Sequence, residues 1–328
     1  MSDCPVCGTV VEAHTETYVS PYNKQEYKKY ECPTCDVHWW EPLKIIPEFY
    51  EDEVFEGYIG FHEGMRLRIG KNHEAFFKNF PGNLKGRLLD VGCGDGVFLK
   101  EAQRHGFEVW GIDFDKKSVE VAKRSLGVET VYAMSLEEFY RFAKEKGLKF
   151  DVITFFEVLE HQDSPMEFLR MVKELLKDSG YIAGSVPNRE RLFAKTVDWK
   201  YFHWDYPPHH FLRFSDMALK NTLEKAGFNN VEVIKTDFLR RELYPYIEKK
   251  LFGNLDRLKV WLKGKAVGNE HLARAVAVED LERVSNSKSA YALKILKKTR
   301  NLLLFPLTIF YLPKLKGNGI NLYFQGVR

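Results

Sequence analysis

A chain of 328 residues has room for about two domains, or for one core with appendages. Hydrophobics at 45% and aromatics at 14% supply an ordinary buried core, and a formal net charge of +3 excludes any argument for nucleic acid from charge alone. The start, Met1-Ser2-Asp3-Cys4-Pro5, has neither the basic nor the apolar region of a secretory signal, and the longest apolar run, Leu302 to Leu312, is too short to span a bilayer. The expectation is a cytoplasmic protein in a reducing compartment, whose cysteines serve as metal ligands rather than disulfides.

In chain order, residues 1–45 carry Cys4-Pro5-Val6-Cys7 and Cys32-Pro33-Thr34-Cys35, two C-x-x-C knuckles with 24 residues between them. Four thiolates in two such pairs suit tetrahedral zinc with no open position, hence a structural zinc ribbon. A redox pair and iron are the competing uses of this pattern. A ribbon this small has little core of its own, so metal would supply much of its folding energy, and packing on the larger domain that follows is its expected task. Residues 46–82 are aromatic and partly helical (Phe49, Tyr50, Phe55, Tyr58, Phe61, Phe76, Phe77, Phe80) and close at Pro81-Gly82. They are expected to be helices covering the edge of the domain that follows, with Tyr58 and Arg66 as candidates to touch any ligand it binds.

From residue 84 to 186 strands are predicted near 87–91, 108–112, 128–132, 150–156 and 180–186, and helices near 96–105, 116–125, 136–146 and 165–177. Repeated β-α units of this length imply a parallel, doubly wound α/β sheet, with ligands at the carboxyl ends of its strands. The first strand ends in Asp90-Val91-Gly92-Cys93-Gly94-Asp95-Gly96, where glycines turn the chain sharply and leave room for a ligand against the main chain. The following helix points its N-terminal N–H groups back at that ligand. The spacing is G-x-G-x-G rather than the dinucleotide G-x-G-x-x-G. With Asp90 two residues ahead, it resembles the first motif of the class I S-adenosylmethionine-dependent methyltransferases. The resemblance implies a Rossmann-like seven-stranded sheet and S-adenosylmethionine as cofactor. Its expected cofactor residues are Asp90, Gly92, Gly94, Gly96, Asp113 on the ribose hydroxyls, Phe114, Ser135 and Leu136 beside adenine, and Glu157.

The fourth strand runs into Glu157-Val158-Leu159-Glu160-His161, which resembles the E-V-x-E-H segment of several small-molecule and RNA O-methyltransferases. An aromatic, histidine-rich loop follows the fifth strand: Trp199, Tyr201, Phe202, His203, Trp204 and Tyr206, then Pro207-Pro208-His209-His210-Phe211-Leu212-Arg213-Phe214-Ser215. The loop is expected to wall an acceptor pocket. Ser215 reads as a helix N-cap and Gly227 as that helix's stop, before a strand near 231–235. A hydroxyl acceptor needs a base or a metal, because its pKa lies far above neutrality. His161, His209 and His210 are the candidate catalytic residues. Glu157, Glu160, His161 and either His209 or His210 resemble the set that holds a divalent ion in small-RNA terminal 2′-O-methyltransferases, so a second divalent metal is a further expectation. The alternative leaves Glu157 on the cofactor and His161 capping a helix start.

Residues 240–318 do not fit the core pattern. Between Arg240 and Arg300 stand 15 Lys/Arg against 7 Asp/Glu. Leu251, Leu255, Leu258 and Leu262 recur at helical spacing, and Ala290, Leu293, Ile295 and Leu296 do so more loosely. A basic helical insertion capping the substrate cleft is the first expectation; the alternative is peripheral contact with the inner face of a membrane. Asn321 to Gly326 looks like a protease-tag remnant, but Ile320 stands where an acid would be. Residues 319–328 are taken as the last core strand, antiparallel beside 231–235, which leaves 83–239 as the methyltransferase core. The function expected is methyl transfer to a hydroxyl or carbon of a small molecule, sugar, glycan or lipid headgroup. The competing functions are an RNA methyltransferase gripping RNA through ribbon and insertion, and a non-catalytic S-adenosylmethionine-binding module.

Overall fold

Short strands with a tyrosine or tryptophan at almost every turn open the chain, in a computed structural model that describes residues 1–46, 69–191, 205–236, 240–252, 261–262, 288–315 and 319–328. β1 (Ser2–Asp3) pairs antiparallel with β2 (Val10–Val11). β3 (Glu16–Val19), β4 (Glu26–Glu31) and β5 (His38–Glu41) form an antiparallel meander. Alternation sends Tyr30 and Trp39, stacked at 5.6 Å, toward the cysteines, while Tyr27 and Trp40 pack with Tyr206 and Phe211. Aromatic rings therefore pack on both faces of this small sheet, while Glu26 and Lys28 of β4 stay exposed.

The α/β part follows the expected alternation. α1 (Lys71–Asn79) precedes β6 (Gly86–Val91), α2 (Val97–Arg104), β7 (Phe107–Asp113), α3 (Lys116–Leu126), β8 (Val131–Ala133), α4 (Leu136–Glu145) and β9 (Phe150–Phe156). A 3-10 turn (Leu159–His161), α5 (Pro165–Leu175), β10 (Leu176–Pro187), β11 (Leu212–Arg213), α6 (Asp216–Lys225) and β12 (Asn229–Lys235) complete it. The side chains that start and stop these helices are legible: Asp115 caps α3, Ser135 and Glu138 form a capping box on α4, and Ser215 caps α6. The third strand lies at 131–133, slightly later than expected, because residues 128–130 are spent turning out of α3.

The large sheet has the order β12-β13-β10-β9-β6-β7-β8, where β13 is Asn321–Val327. β10, β9, β6, β7 and β8 pair parallel, while β13 runs antiparallel between β10 and β12. Leu322, Tyr323 and Phe324 are fully buried there, as a strand central in a covered sheet requires. β6 has β9 on one side and β7 on the other, so the order reverses at its carboxyl end and opens a crevice there.

Chain contacts divide the molecule into two units, one of residues 1–51, 67–236 and 318–328, the other of 52–66 and 237–317. The ribbon and the α/β sheet thus fall in one unit. β5 pairs with β11, Trp40 N–H donates to the Phe211 carbonyl at 3.1 Å, and Asp36 receives both Arg189 and Ser215. In the other unit, α7 (Arg240–Phe252) packs on α8 (Lys288–Leu315). Arg300 pairs with Glu248 at 2.6 Å, and Lys250 lies over the Tyr311 ring at 5.3 Å. Leu251 is exposed, Leu255 and Leu258 lie outside the described residues, and of the second expected stripe Leu293 is half-buried while Ile295 and Leu296 are exposed. No helix among the described residues is long and apolar enough to cross a membrane.

Candidate active site

At the carboxyl end of β6 the chain turns at Gly92, Gly94 and Gly96, all with positive φ (77°, 52° and 76°), where a side chain would be strained. A Cβ on Gly92 would also meet Val158 Cγ2 at 2.6 Å, so the loop lies directly against the turn that follows β9. Gly92 and Cys93 N–H groups both bond the Ile112 carbonyl, pinning the loop to β7. Asp113, at the end of β7, accepts from Gly94 N–H at 2.8 Å and from Asp115 N–H at 2.9 Å. Burial raises its pKa, and a carboxylate retains lone pairs beyond those two bonds. Phe114 beside it is exposed. Leu136 is buried at the start of α4, and the Ser135 hydroxyl accepts the Glu138 N–H as the helix cap, so its first task is structural.

Asp90 is buried and accepts a hydrogen bond from Thr154 Oγ1 at 2.6 Å; burial pushes its pKa up to about 8. Glu157, with φ 56°, turns its carboxylate into an amide and hydroxyl network. It accepts from Ser185 Oγ at 2.7 Å, Asn72 Nδ2 at 3.2 Å and Asn321 Nδ2 at 3.3 Å. Sequence reasoning did not single out Asn72, Ser185 or Asn321. They come from α1, β10 and β13, and only strand order brings them together.

Three histidines meet beside that turn. The rings of His161 and His209 are 4.8 Å apart, those of His161 and His210 4.9 Å, and His209 stacks on His210 at 4.5 Å. One nitrogen from each can lie within 4.8 Å of the others. The Phe211 N–H donates to the Glu160 carbonyl at 3.0 Å, stitching the histidine loop to the 3-10 turn. His210 Nδ1 faces Asp205 Oδ1 at 3.3 Å, and His161 Nδ1 faces the His209 carbonyl. With their Nδ1 atoms so occupied, both rings aim Nε2 at Glu160 Oε1, each 3.9 Å away. Glu160 is 1% exposed, and neither of its carboxyl oxygens has a hydrogen-bond partner.

Electrostatics sort these groups. Burial drives His161 down to about 3 and lowers His209 and His210 as well, so all three stand as neutral imidazoles near neutrality. Burial, then the nearby Glu157 charge, holds Glu160 well above the usual carboxylate range. Asp205 is equally buried, yet Arg213 at 3.0 Å and Arg191 at 2.6 Å keep it well below that range. Arg191 and Asp205 gave no signal in the sequence, although Arg213 belongs to the P-P-H-H-x-x-R-F-S stretch. Of the residues grouped in advance, the structure brings His161, His209 and His210 together, sets Glu160 3.9 Å from His161 and His210, and takes the Glu157 carboxylate into its amide and hydroxyl network. Neutral imidazoles around an unbonded buried carboxyl suit a borderline divalent ion such as zinc, iron or manganese better than magnesium.

The ribbon cysteines also converge. Cys4 Sγ lies 3.4 Å from Cys35 Sγ, Cys7 Sγ lies 3.4 Å from Cys32 Sγ, and all four fall within 4.8 Å of one another, which suits one tetrahedral ion. Tyr58 and Arg66 lie outside the described residues, as do Trp199, Tyr201, Phe202, His203 and Trp204.

A methyltransferase-domain family profile matches residues 61–233. The ubiquinone biosynthesis O-methyltransferase of Bordetella avium is 34% identical over 156 residues, 46% of this chain and 56% of that protein. That of Nitrosococcus oceani is 37% identical over 128 residues, 38% of this chain and 50% of that protein. The chain thus spans about half the length of the curated relatives it matches. Phosphoethanolamine N-methyltransferase 2 of Haemonchus contortus superposes with a TM-score of 0.53 at 14% identity, covering 89% of this chain and 62% of that one, a likeness of fold. With more than half its length matched and an antiparallel last strand set into a parallel sheet, the chain belongs to the class I S-adenosylmethionine-dependent methyltransferases.

Proposed function

We infer that the chain transfers a methyl group from S-adenosylmethionine to a hydroxyl of a small molecule, the class of acceptor named for the O-methyltransferases it resembles. The observation that carries this reading is the contact of the glycine loop with the turn bearing Glu160 and His161, Val158 against Gly92. Donor and proton-handling groups thereby share one end of the sheet. S-adenosylmethionine, when bound, supplies a methyl group already activated for in-line displacement. The protein then supplies alignment, exclusion of water and removal of the acceptor's proton. Asp113, the turned glycine backbone, Phe114 and Leu136 hold the nucleoside side, and Glu157 belongs to the polar wall toward the methyl group.

The acceptor's proton passes to a histidine of the cluster, or its hydroxyl is acidified by a divalent ion. Glu160, His161, His209 and His210 would hold that ion, which would act as a Lewis acid on the acceptor oxygen. Asp205 and the His209 carbonyl would fix the ring orientations, as partners behind metal-ligating histidines do. The ribbon's Cys4, Cys7, Cys32 and Cys35 would hold structural zinc. Sugar, glycan and lipid-headgroup acceptors use the same hydroxyl chemistry.

Two measurements test this. Labelled S-adenosylmethionine is incubated with the protein and fractionated cell extract; label is expected in a hydroxyl-bearing metabolite or lipid fraction. Label in RNA alone would replace this reading with the RNA-directed one, and none in any fraction would leave a binding module. Elemental analysis of the wild type is expected to give zinc plus a second divalent ion, and His161→Ala/His210→Ala to lose the second alone. Zinc alone in the wild type would leave the histidines as bases.

A further inference from the structure

α8 carries its own pattern, which methyl transfer leaves unused. Its sequence, KSAYALKILKKTRNLLLFPLTIFYLPKL, holds six Lys/Arg and no Asp or Glu. Five of the six precede Asn301, and the stretch Asn301–Leu312 has no charged residue at all. At 100° per residue, Leu293, Lys297, Arg300, Leu304, Thr308 and Tyr311 share one stripe. Leu304 and Thr308 on it are buried, and it is the stripe that meets α7 through Arg300–Glu248 and Lys250–Tyr311. The opposite arc is apolar and exposed: Ile295, Leu296, Leu302, Leu303, Ile309 and Phe310, with Leu302 and Leu303 at 74% and 72%. A water-facing arc of this size on a helix otherwise packed by its far side is an interaction surface.

We propose that this arc lies in the plane of an anionic membrane surface, Leu302, Leu303, Ile309 and Phe310 entering the headgroup–acyl boundary while the exposed Lys288 and Lys298 meet lipid phosphates. The polarity runs along the helix, basic at one end and an uncharged apolar stretch beyond it, with no acid among the helix's own residues. Such a basic, apolar-faced helix binds by buried apolar area together with attraction to anionic lipid. The uncharged stretch is too short to cross a bilayer, so the helix lies on the membrane rather than through it. A second copy of the chain is a poorer occupant. A coiled-coil seam through Ile295, Leu302 and Ile309 would bury Lys298 beside Phe305 and Leu312 in one register, and would meet Thr299, Pro306 and Pro313 in the other. An RNA partner would leave the apolar arc in water.

The test uses the full chain and vesicles of phosphatidylcholine alone or with phosphatidylglycerol, read by flotation and by fluorescence of Leu303→Trp. Binding is expected to anionic vesicles, to fall as salt rises, and to shift the introduced tryptophan's emission to the blue. Leu302→Ser/Leu303→Ser should weaken binding at least tenfold. Lys288→Gln/Lys298→Gln should weaken binding to anionic vesicles about fivefold per lysine and leave neutral vesicles unaffected. Circular dichroism and S-adenosylhomocysteine calorimetry verify that each variant is folded. No partition of the folded wild type at low salt overturns the proposal. So does a solution dimer that Leu302→Ser/Leu303→Ser dissociates, or an unshifted tryptophan on bound protein.

Discussion

A carboxyl group shut away from water without a hydrogen bond is costly, and proteins keep few of them. Glu160 has both oxygens in that condition with two imidazole nitrogens 3.9 Å off, so an ion between them would turn a liability into a ligand set. In chelator-treated protein Glu160→Gln is accordingly expected to melt no lower than the wild type. Adding a divalent ion at about 100 times its Kd should stabilise the wild type by about 2.7 kcal/mol and the variant by much less; differential scanning calorimetry with and without ion measures both. Asp90 sets a different expectation. Burial lifts its pKa to about 8, whereas the unfolded chain's aspartate ionises near 4. The folded form therefore holds a proton the unfolded form has lost across that window, and stability falls as pH rises through it. Asp90→Asn cannot ionise, so its urea midpoint should drop less than the wild type's between about pH 6 and about pH 9. The types of these residues were legible because chemistry selects them: glycines at turns, an acid after the second strand, histidines in a loop. Their pairings were not, because Asp205 meets Arg191 and Arg213 by tertiary approach, which no local spacing encodes.

Among the elements, β5 and β11 couple the ribbon to the histidine loop. Leu212 pairs with Trp39 and Arg213 with His38, directly after His209 and His210. The metal that folds the ribbon would then also fix the edge on which the histidines are presented. Cys4→Ser/Cys7→Ser is expected to increase hydrogen exchange across residues 205–213 as well as across the ribbon, with β6 to β8 unchanged. Protection confined to its wild-type pattern at 205–213 would separate the two. β13 is the other coupling element. Phe324 is fully buried against Phe155 at 5.0 Å, so Phe324→Ala should cost about 3–5 kcal/mol in chemical unfolding. Existence and type of the β-α elements could be read from period and caps, since each is a local property. The placing of β13 between β10 and β12 was half legible. Alternation of Ile320, Leu322 and Phe324 marked a strand beside 231–235, but its second neighbour is set by sheet order alone.

At the scale of the whole molecule, the methyltransferase sheet is interrupted between β12 and β13 by residues 237–317, which carry α7 and α8. The basic excess of that stretch was visible in the sequence, whereas the face on which α8 turns its leucines needed the packing against α7. The interruption has a consequence for how the protein is made. Thr236 and Asn321 are hydrogen-bonded in the finished sheet, yet 85 residues separate them along the chain. As the polypeptide leaves the ribosome at about 5–20 residues per second, β10 and β12 emerge with the slot between them empty for several seconds. Two apolar strand edges stand open during that time, the condition under which nascent chains recruit holdase chaperones or pair with a neighbour on the same message.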